Sequence, residues 1–167
     1  MRGGQDSAET TTEGSTQGLC VLTDGTGKYA ELIWSGVVEG LGQVPFHNGA
    51  EAPLTRRVLS GPSLHDGLKR RIVVHELKDV RAGQRHYCAP HFHDFAEVNL
   101  LLSASRLKYE IRLGHETYLV EAPASIHIPA GLVHSANVFE GTGFFVAMMD
   151  TANYSASTPD AAPAKQC

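Results

Sequence analysis

Two stretches of this chain carry side chains of the kind that bind metal ions. In the first, Pro90 to Leu102 (PHFHDFAEVNLLL), His91 and His93 stand two residues apart and Glu97 follows four further on. Alternate side chains of an extended strand point to one face, so an H-x-H pair offers two imidazoles to the same point in space. The nearby carboxylate is a third donor suited to a divalent ion. In the second stretch, Ser125 to Asn137 (SIHIPAGLVHSAN), Pro129 and Gly131 make a tight turn and His134 follows as the next strand begins. If that strand lies beside the one bearing His91 and His93, three imidazoles and Glu97 can converge on one ion.

Other polar residues near these stretches bear on substrate handling. Asn99 lies two residues after Glu97, hence on the same strand face, in an otherwise apolar run. A buried amide needs partners, so Asn99 is either a pocket residue that meets a substrate or a satisfied core amide. Tyr87 and His86 precede the ligand stretch. They either reach the pocket rim as acid or base, Tyr87 being the candidate catalytic group, or stand as exposed loop residues. Cys88 reads as a small buried hydrophobe rather than a thiolate ligand. Tyr109 sits on the apolar face of its strand, as core or as pocket wall. His127 alternates with Ile126 and Ile128 and faces outward if the isoleucines face inward. His47, His65, His75 and His115 show no partner pattern and read as solvent-facing or structural.

The elements that must position these groups read as short strands. Arg71–Leu77 is β-branched and apolar, and Asp79–Gly83 reads as a turn. Leu107, Tyr109, Ile111 and Leu113 alternate with Lys108, Glu110 and Arg112. Thr117–Val120, Ser125–Ile128, Val133–Val138 and Phe144–Met149 are further strands. Between Leu19 and Pro53 the pattern is weak: Leu32-Ile33-Trp34 and Val37-Val38 are short apolar runs broken by glycines, which fits strands and turns better than a helix. Residues 54–68 read as a connector with one more short strand. Many short strands with Gly/Pro turns argue an all-β sandwich or barrel, and closing the sheet, as in a jelly roll, removes exposed edges.

Composition bounds the rest. A chain of 167 residues, 42% hydrophobic and 19% charged, has the make-up of one globular domain. Residues 1–18 and 151–167 are poor in groups to bury and read as disordered tails, leaving 19–150 as the folded domain. A net charge of −4 argues against a nucleic-acid surface. No apolar run approaches the ~20 residues of a membrane span, and the start lacks a signal-peptide core. Cys20, Cys88 and Cys167 form no disulfide framework, which fits a reducing, cytoplasmic setting.

Together the two stretches resemble the paired motifs of the cupin superfamily. The first, G(x)5HxH(x)3,4E(x)6G, is matched by His91, His93 and Glu97. The second, G(x)5PxG(x)2H(x)3N, is matched by Pro129, Gly131 and His134. Departures concern turns and strand ends: Gly83 stands eight residues before His91, Ala104 and Pro123 occupy motif glycine positions, and Asn137 comes one residue early. The resemblance covers roughly residues 70–150. It implies a double-stranded β-helix or jelly-roll barrel, metal ligation by His91, His93, Glu97 and His134, and a homodimer.

Three imidazoles and a carboxylate leave about two positions open on a six-coordinate ion. That suits Fe(II) first, with Mn(II) and Ni(II) next and a closed zinc site least. Three functions follow. The leading one is an Fe(II)-dependent oxygenase acting on a small oxygenated organic substrate, oriented by Asn99. The second is a non-redox metal-dependent lyase, isomerase, dehydratase or cyclase, with Tyr87, His86 or Glu97 moving a proton. The third is a non-catalytic cupin that binds a small ligand. None requires nucleic acid or membrane.

Overall fold

The computed structural model describes residues 28–62 and 64–158. The expected tail at 1–18 and the expected domain start at Leu19 lie outside them. By its contacts the chain divides into a unit 1–33 and a unit 34–167. The described part of the first is a single 3-10 turn at Ala30–Leu32, where a strand was expected. Everything below concerns the second.

Eight strands form one sheet that folds back on itself: β1 (Val37–Val38), β2 (Thr55–Ser60), β3 (Arg71–Val80), β4 (Glu97–Leu102), β5 (Leu107–Leu113), β6 (Glu116–Glu121), β7 (Ala124–Ile128) and β8 (His134–Met149). Every pairing is antiparallel, in the order β1-β2-β3-β8-β4-β7, with β5 on β8 and β6 on β5.

β8 holds the two layers together. Its first half pairs with β5, from Leu113↔His134 to Leu107↔Gly141. Its second half is sandwiched between β3 and β4, as in Val73↔Ala147↔Asn99 and His75↔Phe145↔Leu101. The sequence reading had this strand as two, Val133–Val138 and Phe144–Met149. The chain instead runs through Gly141 (φ 110) and Gly143 (φ 153), where it can bend without losing its ladder. A Cβ at Gly141 would run into the Arg106 carbonyl oxygen, and one at Gly143 into that of Leu102.

Period-two burial fixes which side chains face inward. Val73, His75 and Leu77 do so from β3, Glu97, Asn99 and Leu101 from β4, and Leu107, Tyr109 and Ile111 from β5. Ile126 and Ile128 do so from β7, which leaves His127 outside. Each fully buried large apolar side chain contributes roughly 1.5–3 kcal/mol, so this face sets the register.

Residues 151–158 correct the expected C-terminal tail. Ser157 forms a reciprocal backbone bridge with Phe92, with N–H to carbonyl distances of 2.9 Å each way. Their polar composition says little about burial because the contacts they make are largely through backbone.

Candidate metal centre

The two histidine stretches are joined through the backbone before their side chains meet. The His91 N–H donates to the His134 carbonyl at 3.0 Å, and the His134 N–H returns a bond to His91 at 2.8 Å. Gly131, at φ 79, directs its N–H to the carbonyl of His93 at 2.7 Å. The H-x-H pair therefore sits on an extended segment bridged to the start of β8, not within a long strand. Asn137 fastens the residues just before it: its Oδ1 accepts from the Cys88 N–H (2.9 Å) and its Nδ2 donates to the Cys88 carbonyl (3.1 Å).

His91, His93 and His134 are all buried, and their rings lie 4.6–4.9 Å apart between centroids. Each Nδ1 faces a backbone carbonyl: Ala89 at 2.8 Å, Ser155 at 2.9 Å and Leu132 at 2.9 Å. A carbonyl only accepts, so each Nδ1 carries the hydrogen and each Nε2 keeps its lone pair. The potential ligand atoms of the three lie within 4.8 Å of one another. Burial pushes His91 down to about 3 and His93 down to about 4, so both are neutral at ordinary pH. Three imidazoles that spend Nδ1 on the backbone and turn toward one another can hold one divalent ion through Nε2.

Glu97, at the head of β4, brings Oε2 to 3.5 Å from His93 Nε2. Burial pushes its carboxyl above the usual glutamate range, against the opposing pulls of His134, the Asn99 amide and Arg56. With His93 neutral, the pair is not an ion pair. Glu97 lines the same cavity, but the residues whose ligand atoms converge are the three histidines without it.

These residues line a cavity of about 40 Å³, room for an ion and a ligand of few atoms rather than a bulky one. Its other walls include Val44, Ala136, Phe145, Ala147 and Met149, which make it largely apolar. Asn99, left open between a pocket and a core role, lines it. The residue is 1% exposed, and its Oδ1 has no hydrogen-bond partner.

Tyr87 is placed differently from either expectation. It is 1% exposed, at the inner wall and not at a rim, and its hydroxyl accepts the Val138 N–H at 3.1 Å. Burial drives its phenol well above the usual tyrosine range, so it serves the core and is a poor base. His86 is exposed and outside the cavity. Cys88 is a buried free thiol whose pKa burial pushes up to about 12, in keeping with an inert role. Tyr109 is core, stacked on Phe145 at 5.0 Å, while His65 and His115 are exposed.

Sequence reasoning missed four cavity residues. Arg56 sits on β2 in the same inward alternation as Val58, and His75 lies between Val73 and Leu77 on β3. Both parities were readable, but a charged or titratable residue invites the assumption of solvent. His47, with Nδ1 on the Pro45 carbonyl at 2.8 Å, comes from the glycine-rich stretch with no periodicity. Tyr154, from the supposed tail, reaches 3.3 Å from His91 Nε2, and no local pattern marks it.

No family model and no curated protein matches the chain. Among solved structures it is similar to a cupin 2 domain-containing protein from Halorhodospira halophila. That pair is 17% identical over 66% of this chain and 73% of the other, with a TM-score of 0.51. A cupin-2 domain from Rhodospirillum rubrum is 17% identical over 75% and 74%, with a TM-score of 0.49. An RmlC-like cupin from Shewanella frigidimarina is 14% identical over 72% and 87%, with a TM-score of 0.46. At such identities the likeness concerns architecture alone. The strand order, the bridged histidine stretches and the Halorhodospira protein agree: this chain has the cupin fold, a jelly-roll β-barrel.

Proposed function

We propose that this protein is a mononuclear metal-dependent enzyme acting on a small oxygenated organic substrate, with Fe(II)-dependent oxygenation as its leading reaction. His91, His93, His134 and Glu97 are the ligands. The observation that carries this reading is the convergence of three buried Nε2 atoms whose tautomers are fixed by backbone carbonyls. A bound ion would supply a Lewis-acidic, redox-capable centre with adjacent open positions. Mn(II), Ni(II) and Zn(II) fit the same donors.

The protein's own groups do the rest. The apolar walls exclude bulk water, and the free Oδ1 of Asn99 accepts a hydrogen bond from a substrate hydroxyl or a bound water. The small cavity limits the substrate to a few heavy atoms. With Fe(II) loaded, a panel of small hydroxy and oxo compounds should include one that drives oxygen uptake matched to its own loss. His134→Ala should abolish both.

A second reading, a non-redox lyase, isomerase, dehydratase or cyclase, has one observation in its favour. The Tyr154 hydroxyl lies in the cavity 3.3 Å from His91 Nε2, where burial keeps it a neutral hydrogen-bond donor that can hold a substrate oxygen beside the histidines. Anaerobic turnover by the Zn(II)-loaded protein, with no oxygen uptake on any compound, would select this reading instead. Under either, the enzyme is taken as cytoplasmic, independent of nucleic acid and membrane. In the described residues no helix is long and apolar enough to cross a membrane.

A further inference from the structure

The cavity contains one feature that metal ligation does not use. Arg56 enters it from β2 with a side chain 4% exposed. Its Nε donates to Glu39 Oε2 at 2.8 Å. The same carboxylate accepts twice from Arg71 Nη2, at 2.7 and 2.9 Å. Two guanidinium groups thus share one carboxylate, and among the described residues one positive charge in the cluster is uncompensated. A buried charge without a counter-charge is costly, and more so beside an apolar cavity.

His75 fixes the guanidinium in place. Arg56 Nη1 lies 2.9 Å from His75 Nε2, and a guanidinium only donates, so Nε2 accepts and the hydrogen sits on Nδ1. That Nδ1 is buried and has no partner. The ring is held by stacking on Phe145 at 5.3 Å between centroids. No acid of the cluster remains to neutralise Arg56, because Glu39 already serves both arginines and Glu97 belongs with the histidines.

We propose that Arg56, backed by His75, is an anion subsite on the same cavity as the three histidines, and that the cavity takes a small carboxylic acid with a vicinal second oxygen. The carboxylate is met by the guanidinium N–H groups that Glu39 and His75 leave free. The vicinal oxygen is turned toward the histidines and Asn99. A planar guanidinium matches a carboxylate in geometry as well as charge, and the cavity volume keeps the acid short. This substrate class rests on the metal-centre reading for its second contact, whereas the carboxylate contact stands on Arg56 alone.

The test uses the full chain, with Mn(II) as the metal and glycolate as the probe. Ethylene glycol, which keeps the vicinal oxygens and lacks the charge, serves as control. Calorimetric titration of Mn(II) reads the metal centre; titration of glycolate into Mn(II)-loaded and metal-free protein reads the subsite. Glycolate should bind about tenfold or more tightly than ethylene glycol, and Arg56→Gln should weaken glycolate by about tenfold or more while leaving Mn(II) stoichiometry unchanged. Arg56→Lys, which keeps the charge and loses the fork, should fall between. Should Arg56→Gln not fold, the comparison of the two probes on the unaltered protein still decides. If the unaltered protein takes up no Mn(II), the metal reading fails, and Arg56-dependent glycolate binding by the metal-free form would still support the subsite. Glycolate binding that is absent in both forms, indifferent to Arg56, or no tighter than that of ethylene glycol overturns the inference.

Discussion

At the scale of single residues, the site is built from groups whose orientation the backbone fixes. His91, His93 and His134 each commit Nδ1 to a carbonyl, which turns flexible titratable groups into oriented lone pairs. His75 is held neutral by complete burial and then by the field of Arg56, both of which push it well below 6.5. That shift has a consequence for stability. Between its folded value and 6.5 the unfolded chain binds a proton that the folded one refuses, so the stability is whole above 6.5 and is lost as pH falls below it. His75→Gln keeps an acceptor for Arg56 but cannot titrate. Urea midpoints at pH 7.5 and pH 5 should fall less for this variant than for the unaltered protein; an equal fall would show that His75 is not held neutral. Part of this layer was legible in the sequence, since the spacing picked out His91, His93 and His134, the three residues that converge. Tyr87 misled because its place before the histidines suggested a rim, when its hydroxyl is taken up by Val138.

At the scale of elements, the important unit is the clamp between β8 and the segment before His91. Asn137 satisfies both backbone groups of Cys88, and the His91–His134 bridge continues the same seam. Asn137→Ala would leave two buried backbone groups unpaired, so it should destabilise the fold by about 1–3 kcal/mol per group left without water. Chemical denaturation measures this, and a loss below that range would mean the seam is held elsewhere. Strand alternation was readable for β5, where Leu107, Tyr109 and Ile111 face inward between charged residues, while the parity of β7 stayed open until the structure turned Ile126 and Ile128 inward. The single long β8 was not, since two glycines in sequence mark a turn as readily as a bend. Residues 151–158 escaped notice because Ser155 and Ser157 act through their backbones, which composition does not encode.

At the scale of the whole molecule, closure of the sheet brings β2, β3, β4 and β8 around one small cavity, placing Arg56 and His75 on the cavity that also holds the histidines. No local pattern links residue 56 to residue 134; only the barrel does. The homodimer implied by the cupin resemblance belongs to this scale too. Light scattering on the purified chain should give twice the 18.0 kDa of one copy, and a monomer mass would refute it. The central claim is the metal centre, and metal content measures it most directly. After loading with Fe(II) or Mn(II) and removal of excess ion, elemental analysis should find about one ion per chain, and His134→Ala should retain almost none. Full occupancy in His134→Ala, or no ion in the unaltered protein, would contradict the account.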